Sequence, residues 1–165
     1  MKKFKFDAKG YLLSDNSEWT TLEEIRYNFV DSFPNSERRL LLFNNYLRFL
    51  YRFQDLVFPY FEQWIDGSFI SQKENPKDID IVTFLDYRVY RLKGEPFMDQ
   101  FWSFSLEDEF IDSYIVEIYP ESHEMYVPYQ QNIERFTNLY GTSRADDRGV
   151  VKEKGFLKIL FEKSL

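Results

Sequence analysis

The chain has no cysteine and a single histidine among its 165 residues. That rules out disulfides, thiolate zinc sites, iron–sulfur ligation and cysteine nucleophiles. The histidine, His123, sits in Pro120-Glu-Ser-His-Glu124 with no nucleophile elbow in the chain, so it reads as a loop residue rather than a triad member. Glycine and proline are scarce, at six each, and neither a Gly-x-Gly-x-x-Gly nor a Walker loop occurs. Dinucleotide and P-loop enzymes are therefore disfavoured. No run approaches the ~18 apolar residues that a membrane span needs. The opening Met1-Lys-Lys-Phe-Lys-Phe-Asp7 lacks the apolar core of a signal peptide, so a cytoplasmic protein with no membrane contact is expected.

What is abundant is aromatic. Phe (18) and Tyr (12) dominate an aromatic fraction of 20%, and large rings bury much apolar surface each. One dense core, and hence one domain over 1–165, is expected at this length. Acids outnumber bases by 28 to 21, giving a net charge of −7. Such a surface argues against holding nucleic acid mainly by its phosphates, which requires Lys and Arg to release counterions.

The pattern predicts an α+β domain, a small mixed sheet with flanking helices. Phe4–Phe6 and Tyr11–Leu13 read as two extended pieces around a turn. Thr20/Glu23 and Thr21/Glu24 each match a capping box, and Leu22, Ile25, Phe29 and Phe33 follow at helical spacing, so 21–33 is a helix ended by Pro34. Ser36 opens a longer one, the two together spanning about 21–55, with a wide stripe from Leu40 and Leu41 to Leu50. Arg38, Arg39, Arg48 and Arg52 are assigned to its solvated face. Strands are expected at 61–65, 78–82 and 114–119, a helix at 133–140, a charged mobile loop at 142–153, and a last element at 156–160. The aromatics Phe97, Phe101, Trp102 and Phe104 read as a packing patch, and Glu107-Asp108-Glu109 as a solvated run.

Chemistry concentrates in Trp64-Ile-Asp-Gly67-Ser68 and, ten residues on, Asp78-Ile79-Asp80-Ile81-Val82. Strand alternation puts Asp78 and Asp80 on one face and Ile79 and Ile81 on the other. A one-residue slip would bury both acids, so the isoleucines lock the register. Two carboxylates on one face repel unless water or a cation lies between them, and a hard, oxygen-seeking ion such as magnesium or manganese suits them. Gly67 lets backbone N–H groups approach a phosphate, and Ser68 adds a hydroxyl donor. Lys73 and Lys77, in the polar loop closed by Asn75-Pro76, are placed to neutralise phosphate charge.

These residues resemble the nucleotidyltransferase fold superfamily related to DNA polymerase beta, whose signature is Gly-Ser at a strand end followed by Asp-hydrophobic-Asp on the next strand. Within it the chain resembles short, mostly uncharacterised bacterial nucleotidyltransferase-like proteins. The likeness runs through Phe6-Asp7 to Leu12, Trp64 to Phe69, Asn75 to Asp80, Ile111 to Val116 with Tyr119-Pro-Glu, and Leu139-Tyr-Gly141, Arg144 and Lys154-Gly155-Phe. It implies that Gly67 and Ser68 hold a nucleoside triphosphate and that Asp78 and Asp80 bind catalytic Mg2+ or Mn2+. It also implies a third, nucleophile-activating carboxylate, for which Asp112 is preferred; alternation along 114–119 points instead to Glu117.

Two readings follow. One is a nucleotidyltransferase moving a nucleoside monophosphate to an acceptor, in a setting such as toxin–antitoxin or phage defence. The other is a non-catalytic nucleotide-binding or protein-interaction module that keeps the fold. With only about 45 residues after the third strand to grip an acceptor, a protein or small molecule, or help from a protein partner, is favoured over nucleic acid.

Overall fold

A computed structural model describes residues 1–13, 19–106 and 110–162. Two helical segments, α1 (Leu22–Arg26) and α2 (Glu37–Leu56), precede the sheet. Of the two candidate capping boxes it is Thr21 that caps α1, its side chain accepting from the Glu24 N–H. The expected helix to residue 33 instead passes from α1 into a π-helical turn, Tyr27–Asp31, before Pro34. Ser36 caps α2 through the Arg39 N–H.

The sheet comprises β1 (Phe61–Asp66), β2 (Ile79–Asp86), β3 (Ile111–Ile118) and β4 (Leu157–Phe161), in the order β3-β2-β1-β4. Antiparallel pairs join β1 to β2 and to β4, while β2 and β3 run parallel. A parallel pair needs a long crossover. It is supplied by α3 (Tyr87–Lys93) and α4 (Glu95–Leu106). The fold is α+β with a mixed sheet, as the pattern predicts. Trp102 and Phe104 as side chains, and Glu107-Asp108-Glu109 altogether, lie outside what is described.

Helix α2 covers one face of the sheet. Its buried stripe is Arg39, Leu42, Phe43, Tyr46, Phe49, Leu50 and Phe53, and Phe53 meets Phe61 of β1 with centroids 4.6 Å apart. Leu40 and Leu41, expected in the stripe, are exposed instead. The sheet contributes buried polar groups to this face: Tyr46 donates to Gln63 (2.9 Å), whose amide donates to Thr83 (2.8 Å). Every partner being satisfied, this network fixes the helix against the sheet without orphaned groups. Phe101 of α4 packs on Phe49 and Phe53 from the same side.

The opposite face is covered by α5 (Tyr126–Tyr140), which begins seven residues earlier than the pattern indicates. Pro128 is tolerated there because a helix's first turn leaves its N–H groups unused. Rings join this layer: Tyr114 to Phe136, Tyr140 to Phe156, and Phe156 to Trp64. The segment expected as a mobile loop is a bonded hairpin, with Thr142 bridged to Glu153 and the Ser143 N–H donating to the Lys152 carbonyl at 2.8 Å. No helix among the described residues is long and apolar enough to cross a membrane.

A candidate nucleotide site on an acid row

Three strands bring three carboxylates abreast. Asp66 pairs with Asp80 across β1 and β2, and Asp80 pairs with Asp112 across β2 and β3. Residues directly opposite share a face of the sheet. Asp66, Asp80 and Asp112 therefore form one row on the face that α5 covers. Asp78 lies just before β2, and its charge also reaches Asp80. The third strand starts at Ile111, not at 114, so Asp112 is itself a strand residue. Glu117 sits five residues along, beside Leu85, where its carboxylate accepts from the Tyr119 hydroxyl at 3.0 Å. By strand parity it faces the other way.

Crowding leaves its mark on Asp80. Burial, then the charges of Asp78, Asp66 and Asp112, push its carboxyl up to about 6, against a weaker pull from Arg144. This is an acid short of positive charge. Asp66 is better compensated: burial raises its carboxyl, but the Lys154 ammonium and the Gly67 N–H both bond to it and oppose the rise. Lys154 also donates to the Tyr140 carbonyl at 2.7 Å, tying the C-terminal end of α5 to β1.

Gly67 has φ 84°, and a Cβ built there would collide with Asp80 Oδ2. Only glycine lets the backbone pass this close to the carboxylate. Ser68 opens a short 3-10 turn, Ser68–Ile70. Lys73 and Lys77 are both exposed. Lys77 stands with Asp78 and Asp112 around an open cleft of about 590 Å³, completed by Arg38, Phe110 and Ile111; Lys73 does not line it.

Two side chains that pattern reading placed wrongly or passed over shape the site. Arg39 is not on a solvated face. It is 0% exposed, and its five N–H groups donate to the carbonyls of Phe29 (2.8 Å), Phe69 (2.6 Å), Ser71 (2.7 Å) and, twice, Lys73 (3.2 and 2.6 Å). Burial lowers its pKa only to about 10, so the cation persists at neutral pH. It pins the loop that follows Gly67-Ser68. The available signal was positional, since residue 39 falls on the stripe of 42/43, 46, 49/50 and 53. Tyr140 is the second: it is 3% exposed, its hydroxyl has no hydrogen-bond partner, and Asp80, Asp66 and Asp112 all act on it.

The donor set suits a hard divalent cation, since every ligand offered is a carboxylate oxygen around an undercompensated Asp80. The side chains do not close around one: among the described residues no group of three or more His, Asp or Glu converges on a metal-sized point. The ammonium of Lys154 already neutralises one end of the row, which relieves the repulsion that would otherwise demand an ion.

A family model described as "Family of unknown function (DUF6932)" matches residues 4–160. No curated protein and no solved structure matches the chain.

Proposed function

We propose that this chain, which belongs to the DUF6932 family of unknown function, is a metal-dependent nucleotidyltransferase that moves a nucleoside monophosphate from a nucleoside triphosphate to a hydroxyl acceptor. The observation that carries this reading is the row Asp66–Asp80–Asp112 with the Gly67 backbone pressed against Asp80. The resemblance of the Gly-Ser and Asp-x-Asp motifs to the nucleotidyltransferase superfamily adds to it.

In this reading the triphosphate lies along the Gly67-Ser68 turn, where backbone N–H groups and the Ser68 hydroxyl bind its outer phosphates. Asp78, Asp80 and Asp112 would hold magnesium or manganese, which supplies charge neutralisation of the phosphates. Asp112 takes the proton of the acceptor hydroxyl. The acceptor oxygen forms a bond to the α-phosphorus as the bond from that phosphorus to the bridging α–β oxygen breaks, and pyrophosphate leaves. Exposed Arg144, whose field reaches Asp80, would offset the charge of the leaving group. A nucleotide-binding module without catalysis is favoured instead by the Asp66–Lys154 pair and by the absence, among the described residues, of three acids closing on one point.

Incubation with α-labelled nucleoside triphosphates and magnesium, with and without cell extract, separates the two. Label transfer that disappears in Asp78→Ala/Asp80→Ala supports the enzyme. Nucleotide binding with no transfer sinks it in favour of the module.

Tyr140 gives a prediction of its own. An unpartnered buried hydroxyl adds nothing to stability, so Tyr140→Phe is expected to leave stability unchanged or raise it by at most about 1 kcal/mol, read as an unchanged or higher melting temperature. Transfer is expected to fall roughly tenfold or more, as for loss of a hydrogen bond made only to the reacting phosphate. A variant melting well below the parent would show that the hydroxyl is structural.

A further inference from the structure

The cleft beside the acid row is not needed to hold the triphosphate. It lies at the start of β2 and β3, whereas Gly67 ends β1, so in strand order the two flank Asp80 on opposite sides. An in-line displacement requires the entering oxygen to approach opposite the departing pyrophosphate. With pyrophosphate held on the β1 side, this cleft at the start of β2 and β3 is placed to admit the acceptor.

Its walls have a definite chemistry. Phe110 is the one non-glycine residue with positive φ among those described, at 55°. That conformation is uncommon for a bulky residue and strains the backbone. The strain is not repaid by burial, since Phe110 is 47% exposed. The ring is nonetheless fixed. The guanidinium of Arg38 lies 4.0 Å from its centroid, and Arg38 in turn donates to the Pro76 carbonyl (3.2 Å) and the Lys77 carbonyl. The Phe110 carbonyl accepts from the Ile79 N–H at 3.0 Å, which anchors its backbone to β2. A phenyl ring held rigid and half in solvent is a platform for another flat ring. Lys77 adds an exposed cation, and Asp112 a carboxylate, on the same cleft.

We infer that the cleft is the acceptor subsite and that the acceptor is a mononucleotide. Its base stacks on Phe110, its phosphate meets Lys77, and a ribose hydroxyl reaches Asp112. The volume of about 590 Å³ lies within the ~300–1,000 Å³ typical of small-molecule sites, and the net charge of −7 disfavours a longer polyanion. The product would be two nucleosides joined through the transferred α-phosphate, with pyrophosphate released and the hydroxyl proton passed to Asp112. This inference rests on the nucleotidyltransferase reading and specifies its acceptor.

Calorimetric titration with adenosine 5′-monophosphate and with ribose 5-phosphate tests it, on the parent protein, Phe110→Ala, Phe110→Trp and Asp80→Asn. The parent is expected to bind the nucleotide at least about tenfold more tightly than the ribose phosphate, the usual contribution of one stacked base. Phe110→Ala should erase that preference, while Phe110→Trp and Asp80→Asn keep it. Equal binding of the two probes by the parent overturns the inference. So does a preference that survives in Phe110→Ala, or one lost in Asp80→Asn alone, which would put the nucleotide at the carboxylate row. The underlying reading fails separately, as an absence of label transfer while Phe110-dependent binding persists.

Discussion

Replacing Arg39 with methionine is expected to destabilise the protein by at least about 3 kcal/mol, a large share of the ~5–15 kcal/mol that holds an ordinary small domain folded. Methionine fills similar space, so the loss is not one of packing volume. It leaves the carbonyls of Phe29, Phe69, Ser71 and Lys73 without the donors that now satisfy them inside the protein. Each buried acceptor so orphaned costs about 1–3 kcal/mol. The ring of Phe33, 3.9 Å from the guanidinium, loses its stacking partner as well. Arg39→Lys should recover only part of the deficit, because one ammonium cannot span four carbonyls on two segments. Urea denaturation measures this directly. A cost below about 1 kcal/mol for the methionine variant would show that the carbonyls find other partners and that the loop from Phe69 to Lys73 does not depend on this cation.

The second large effect has the opposite sign. Asp80→Asn is expected to stabilise the protein at pH 7 by about 2 kcal/mol while abolishing any transfer. The folded state holds the Asp80 carboxyl at about 6, above its ordinary 3.8, so folding favours the protonated form. Stability from this group is fully present below pH ~4 and is lost as the pH rises through about 6. The full linkage, roughly 3 kcal/mol, is reduced because Asp80 is only half-buried and water screens part of the repulsion. Glu23, Asp86 and Asp146 titrate the other way, held low by hydrogen bonds, and at exposed sites they offset little. Melting curves from pH 4 to 8 should therefore show the parent falling relative to Asp80→Asn through this window, with millimolar magnesium narrowing the gap at pH 7. A gap that stays constant with pH would mean that the carboxylate is already neutralised, and the row would lose its claim on a cation.

Both effects bear on the same trade. Arg39 holds the loop behind the Gly67-Ser68 turn rigid, while Asp80 carries repulsion that a purely structural residue would not keep. A turn fixed from behind and an acid held at a cost are what a site for a charged ligand requires.

Local pattern determined a good deal of this protein. Alternation at Ile79 and Ile81 set which way Asp80 points, because the side-chain period of a strand is fixed by backbone geometry. The Thr21 and Ser36 caps, the Asp7–Gly10 turn and the Gly67 break were legible because each depends on residues a few positions apart. The π-helical turn and the early start of α5 were not, since tertiary packing moves element ends at small energetic cost. Sequence left Asp112 and Glu117 competing, because parity along one strand does not say which neighbour it pairs with or where it begins. The register of β3 against β2 decided where each stands, the pairing of β1 with β2 brought Asp66 to the row, and an ion pair spanning 88 residues of sequence brought Lys154 there. The same holds for Arg39: charge and hydropathy assign it to water, and only four carbonyls converging from two distant segments make a buried cation stable.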